Sequence, residues 1–133
     1  MSAPLLQVRD LVVDFKTRAG NARVLDHVSL EVREGKILGI VGESGCGKSM
    51  TALSIMGLVP NPPGQITSGS IKLAGQELVG MDSDALCKIR GKEIGMSFQE
   101  PMTSLYPVFT VGEQIAESVR LHEGASARAA QAR

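Results

Sequence analysis

Residues 37–58 read ILGIVGESGCGKSMTALSIMGL, and at their centre Gly42-Glu43-Ser44-Gly45-Cys46-Gly47-Lys48-Ser49 sets two glycines around four residues, ahead of Lys and Ser. That spacing is the phosphate-binding loop pattern. Gly42, Gly45 and Gly47 can take backbone conformations closed to other residues, so successive N–H groups can turn inward as an anion-sized nest. A helix leaving the loop aims its positive dipole end at the same point. In such a loop Lys48 reaches the β- and γ-phosphates as a point charge, and the Ser49 hydroxyl sits on a bridging Mg²⁺.

The flanks suit this reading. Ile37-Leu38-Gly39-Ile40-Val41 is continuously apolar, which predicts a parallel strand buried on both faces. Met50, Ala52, Leu53, Ile55, Met56, Leu58 and Val59 leave almost no polar face, which predicts a helix packed inside a domain. Pro60-Asn61-Pro62-Pro63-Gly64 is expected to end that helix, since proline lacks the N–H and clashes with the preceding turn.

Upstream, Val8, Leu11, Val13 and Phe15 predict a strand over Leu5–Lys16 with one exposed face. Thr17–Ala22 carries the turn signal Gly20-Asn21. Val28, Leu30 and Val32 alternate with Ser29, Glu31 and Arg33, as in a half-buried antiparallel strand, and Glu34-Gly35 turns the chain toward the loop. Downstream, Ile71 and Leu73 alternate with Ser70 and Lys72 in what reads as another exposed strand. Asp82–Arg90 opens with capping residues and has Ala85, Leu86 and Ile89 at helical spacing, with Cys87 as a small core or boundary residue. Ile94, Met96 and Phe98 alternate as a strand that delivers Gln99 to a proline-bounded loop, Gln99 to Pro107. Thr110-Val111-Gly112-Glu113 is a capping box, with Val111, Ile115 and Val119 four apart behind it; Gly124 stops this helix and Ser126 caps the next.

Composition narrows the function classes. Fourteen Lys and Arg balance fourteen Asp and Glu, so no basic field recruits nucleic acid and no acidic excess points to a basic partner. No apolar run approaches the roughly 20 residues of a membrane span, and the N-terminus lacks a signal peptide's order, so a cytoplasmic protein is expected. Cys46 and Cys87 lie far apart without metal-ligand spacing and read as reduced thiols. Cys46, inside the amide nest, reads either as a favoured thiolate that a maleimide would label and ATP protect, or as an inert filler between glycines.

At Gln99 several segments combine. GESGCGKS, MSFQEPMTSLYPVFTVGEQIAE and the opening LLQVRDLVVDFKT together resemble the ATP-binding subunit of an ABC transporter, of the dipeptide/oligopeptide importer branch, across essentially the whole chain. The fold the resemblance implies is α/β: a P-loop NTPase, ABC-type nucleotide-binding domain with a parallel core and an antiparallel β subdomain. It implies ATP and Mg²⁺ as ligands. Gly42, Glu43, Ser44, Gly45, Cys46, Gly47, Lys48, Ser49 and Met50 then form the Walker A cradle, with Lys48 also catalytic. Phe15 matches the aromatic that stacks on adenine, the alternative being an ordinary inward-facing strand residue. Gln99 matches the Q-loop glutamine, which approaches Mg²⁺ and the attacking water and lies where the permease docks. Ser49 and Gln99 are thus the implied metal contacts.

The implied partners are permease subunits, a second ATP-binding subunit (identical or a paralogue) and, indirectly, a solute-binding protein, at the cytoplasmic face of the membrane. Two positions depart from the family's pattern. Met50 stands where many members have Thr, leaving only its backbone N–H for the α-phosphate, and Tyr106 stands where this branch often has Asn. The Leu-Ser-Gly-Gly signature, the apolar strand ending in Asp-Glu and the switch histidine do not occur; His27 and His122 read as surface residues. Residues 1–133 are therefore expected to be the N-terminal part of the domain, binding Mg-ATP weakly, hydrolysing none above background and exposing apolar surface where strands lack neighbours. The alternative is a truncated nucleotide-binding fragment with no ATPase or transport role. A GTPase or small-molecule kinase fits less well, because no Asn-Lys-x-Asp guanine motif occurs.

Overall fold

The structure is a computed structural model that describes residues 3–99 and 105–132. The chain divides into two compact units, one extending to Leu86 and the other beginning at Cys87.

The first unit is built on an antiparallel sheet of four strands, β1 (Leu6–Thr17), β2 (Gly20–Val32), β3 (Gly64–Leu73) and β4 (Gln76–Glu77), in the order β2-β1-β3-β4. Helix α1 (Lys48–Met56) lies between β2 and β3 in sequence. β1 and β2 form a hairpin that pairs Thr17 with Gly20, so the turn falls on Arg18-Ala19 inside the expected stretch. Strict alternation in β1 would bury Leu11 and Val13 and expose Val12, but all three are buried. The cause is a bulge: pairing with both neighbours shifts register between Val8 and Val13, and Asp10 sits at φ 47. Gly69 of β3, at φ 102, passes this bulge so closely that a Cβ there would stand 2.6 Å from the Asp10 carbonyl oxygen. β3 is consequently an interior strand with Ile71 fully buried, not the exposed strand its alternation suggested. The core of this unit is Val8, Leu11, Val12, Val13, Leu25 and Ile71.

Two expectations of regular structure fail. Ile37–Val41 has no strand pairing among the described residues, and Ile37 and Val41 are 99% and 95% exposed. The same holds for Met96–Phe98: Ile94 makes only an isolated bridge to Arg90, and Phe98 is exposed. A strand of this kind needs pairing strands at its edges and layers over both faces, and among the described residues these two segments have no strand pairing. The antiparallel subdomain of the expected fold is therefore present, and the parallel core is not formed among the described residues.

Helix α1 ends earlier than its prolines suggested. Gly57 takes a left-handed conformation (φ 68) and its N–H reaches back to Leu53 and Ser54 carbonyls, stopping the helix three residues before Pro60. Helix α2 (Ser83–Ile89) is capped by Asp82, whose carboxylate accepts from Ala85 N–H at 2.8 Å; it crosses the boundary between the units, and Cys87 on it is exposed, not a boundary residue.

In the second unit, α3 (Val111–Glu123) starts where Thr110 Oγ1 accepts from Glu113 N–H at 3.2 Å and stops at left-handed Gly124. Ser126 caps α4 (Ala127–Ala132) through Ala129 N–H at 3.2 Å. The predicted apolar face of α3 is mostly outside: Val111 and Ile115 are exposed, and Ala116 is the buried position. His122 is half-buried, its ring lying so close to Gly91 (φ 81) that a Cβ there would meet Nε2 at 2.7 Å.

Candidate functional site

Gly42 to Ser49 form a tight turn that feeds directly into α1, whose first residue is Lys48. Cys46 N–H donates to the Glu43 carbonyl at 3.3 Å, closing the loop, and Gly45 and Gly47 sit at φ 85 and φ 103, where a Cβ would be strained. Gly47 has a second constraint. A Cβ on it would stand 2.8 Å from Cδ2 of Leu25, so the loop rests directly on a buried side chain of β2. Thr51 then bonds back to the Gly47 carbonyl through both its N–H (2.9 Å) and its hydroxyl (2.8 Å), and Ser54 Oγ donates to Met50 O at 2.7 Å. The hydroxyls of Thr51 and Ser54 satisfy themselves on the helix, which lets them be the buried residues of α1 together with Met56.

Lys48 curls back over the loop. Its ammonium donates to the carbonyls of Gly42 and Glu43, the latter at 2.8 Å, and lies 3.6 Å from Cys46 Sγ. A Cβ on Gly42 would meet that sulfur at 2.6 Å, so the loop closes in this form only because residue 42 has no side chain. Ser49 is exposed and Met50 half-buried on the first turn of α1. Lys48 and Ser49 thus stand at the N-terminus of a nine-residue helix, where an anion gains from both the dipole and the free N–H groups. These residues fit a Mg-polyphosphate: a cationic side chain, an exposed hydroxyl and a cradle that a Cβ would fill. Among the described residues no group of three His, Cys, Asp or Glu could cage a metal unaided, so a divalent ion here would lean on phosphate oxygens.

Phe15 is half-buried near the end of β1, opposite Gly64 of β3, and a Cβ on Gly64 would meet its ring at 2.8 Å. The ring therefore has a packing role on the sheet as well as an accessible part. Gln99, the implied Q-loop residue, belongs to the second unit and is exposed; residues 100–104, which follow it, lie outside the described residues. Elsewhere on the first unit Arg23 donates to Asp14 at 3.1 Å and holds its carboxyl below the usual carboxylate range, while the His27 hydrogen bond at 2.8 Å does the same for Asp26. Sequence reasoning missed Leu25, the support beneath Gly47. Its only signal was the apolar pair Val24-Leu25 between the polar Arg23 and Asp26.

The family model for the ABC transporter matches residues 25–133. This chain belongs to that family. The oligopeptide transport ATP-binding protein OppD of Bacillus subtilis (strain 168) is 46% identical over 129 residues, covering 97% of this chain and 36% of that protein. A putative peptide import ATP-binding protein of Brucella ovis is 46% identical over 132 residues, covering 96% of this chain and 39% of its own length. The ABC chain thus spans well under half of these relatives. Among solved structures, the dimeric bacterial ABC transporter cassette MJ0796 superposes with a TM-score of 0.81 at 26% identity, covering 95% of this chain and 52% of that one. The same cassette has been solved in a post-hydrolysis state bound to ADP and Pi, with equal similarity. Among the described residues, no helix of the ABC chain is long and apolar enough to cross a membrane.

Proposed function

We propose that this chain is the nucleotide-binding part of an ATP-binding subunit that energises an importer of di- or oligopeptides. The observation that carries this is the Gly42–Ser49 loop: two left-handed glycines, a buried leucine beneath it, and Lys48 and Ser49 at the start of α1. The names of the relatives support the peptide class.

In this reading bound Mg-ATP supplies the transferable phosphoryl group and the charge that the metal offsets. The loop amides of Glu43 to Ser49 hold the polyphosphate, and the flexible stem of Lys48 lets its ammonium leave the Gly42 and Glu43 carbonyls for phosphate oxygens. The Ser49 hydroxyl would hold the metal; Gln99, on the second unit, matches the glutamine that in the family approaches the metal and the attacking water. The exposed part of Phe15 stacks on adenine, and Met50 offers its N–H to the α-phosphate. Permease subunits and a second ATP-binding subunit complete the machine at the cytoplasmic face of the membrane, with a solute-binding protein acting through the permease.

Phosphoryl transfer to water depends on positioning and on a group to receive the proton. This sequence has no apolar strand ending in Asp-Glu to provide one, so the 133-residue chain, which binds Mg-ATP weakly at best, releases no phosphate above background. Equilibrium titration with Mg-ATP and Mg-GTP, alongside Lys48→Ala, tests the reading. Saturable ATP binding that the substitution abolishes supports it. Indifference to the substitution, or a preference for GTP, refutes it.

A further inference from the structure

Gly64 opens β3 and is buried, yet its backbone does not call for glycine: its φ lies outside the left-handed region. What excludes a larger residue is space. A Cβ there would stand 2.8 Å from each of three atoms, Phe15 Cζ, Val59 Cγ1 and the Pro60 carbonyl oxygen. Two of these belong to the segment that leaves α1 after Gly57, and the third is the tip of the Phe15 ring. Phe15 and Gly64 are register partners across β1 and β3. Backbone bonds hold both sides of this meeting point: Gly64 N–H donates to Pro60 O at 2.6 Å, and Lys16 N–H, next to the ring, donates to Pro63 O at 2.9 Å.

The ring is also tied to the loop through the sheet. Val13, two residues earlier on the same face of β1, pairs with Leu25, whose side chain lies beneath Gly47. Phe15 therefore stands about 7 Å further along the strand from the loop's support. A ring that stacks on a base needs one place and one tilt, and a ring free to swing loses entropy when the base arrives. We propose that Gly64 is a positioning residue for the nucleotide base: having no side chain, it lets the tip of the Phe15 ring seat against the segment leaving α1, so that the accessible part is set before the base binds. The proposal rests on the nucleotide reading for its ligand and goes beyond it in naming what fixes the ring.

The probes are Mg-ATP and Mg-tripolyphosphate, which share phosphates and differ in the base, titrated against the 133-residue chain. Gly64→Ala should weaken Mg-ATP on the order of five- to ten-fold, the lower part of what one base stack is worth, and leave Mg-tripolyphosphate within about two-fold. A purely structural loss would weaken both alike. In a Phe15→Ala background Gly64→Ala should cost Mg-ATP nothing further, because its effect acts through the ring. Val59→Ala removes one of the three contacts and adds no clash; it should weaken Mg-ATP selectively by a smaller factor, and it carries the test if Gly64→Ala fails to fold. Equal loss of both ligands, full Mg-ATP affinity in both variants, or an undiminished Gly64→Ala effect without the ring would overturn the proposal. A parent chain that binds both ligands equally well would remove this proposal and leave the phosphate loop standing; one that binds neither would refute the nucleotide reading and this proposal with it.

Discussion

Gly47→Ala is the sharpest perturbation of the loop, because two separate costs converge on one methyl group. The backbone there sits at φ 103, which an L-residue occupies at a penalty of roughly 1–2 kcal/mol. The new Cβ would also stand 2.8 Å from Cδ2 of Leu25, which is only 3% exposed and has little room to retreat. Pushing that side chain off its rotamer adds about 0.5–1.5 kcal/mol. Together these give roughly 1.5–3.5 kcal/mol, a ten- to several-hundred-fold rise in opening of the loop and the first turn of α1. Hydrogen exchange at the Thr51 amide, which donates to Gly47 O at 2.9 Å, reads that opening directly. Leu25→Val removes the δ carbons, so in that background the Gly47→Ala cost should shrink by the rotamer share of about 0.5–1.5 kcal/mol and keep the backbone share. Strictly additive effects, or unchanged exchange at Thr51 in Gly47→Ala, would show that the loop does not rest on Leu25.

Three other outcomes follow from the same structure. With Ile37 and Val41 almost fully exposed, the chain should bind the dye ANS; Ile37→Ser with Val41→Ser should cut that signal while leaving the antiparallel sheet intact by circular dichroism. Asp14 has its carboxyl pKa lowered, chiefly by the Arg23 hydrogen bond. A depressed folded-state pKa stabilises fully above the ordinary value of about 3.9 and is lost as pH falls through the lowered value, so Arg23→Gln should lower stability to denaturant at pH 6 and above, and its difference from the parent chain should shrink as pH falls below about 4. Maleimide should label both exposed cysteines, with saturating Mg-ATP slowing Cys46 and not Cys87; equal protection of both, or of neither, would place the nucleotide elsewhere.

What could be read in the chain was what neighbouring residues decide among themselves. The caps at Asp82, Thr110 and Ser126, the stop at Gly124 and the hairpin after β1 depend on side chains bonding nearby backbone, and each stands where the residue type put it. The loop residues Gly42–Ser49 were legible for the same reason. Ile37–Val41 was not, because continuous apolarity states a demand for burial and says nothing of whether a pairing strand is at hand. Three buried residues in succession at Leu11–Val13 required a bulge at Asp10, and Gly69 was its partner 59 positions away, beyond any local pattern. The bonds of Gln114 to Tyr106 and Phe109 depend on how the chain enters α3, which no local pattern states.

The claim beneath the functional reading is that the loop amides from Glu43 to Ser49 bind a polyphosphate. Amide ¹H–¹⁵N shifts followed through a titration with Mg-ATP test it most directly. The account predicts large, saturable shifts of the Gly45, Gly47 and Lys48 amides, lost in Lys48→Ala. Unmoved glycine amides at saturating nucleotide, or shifts gathered on residues outside the loop, would contradict it.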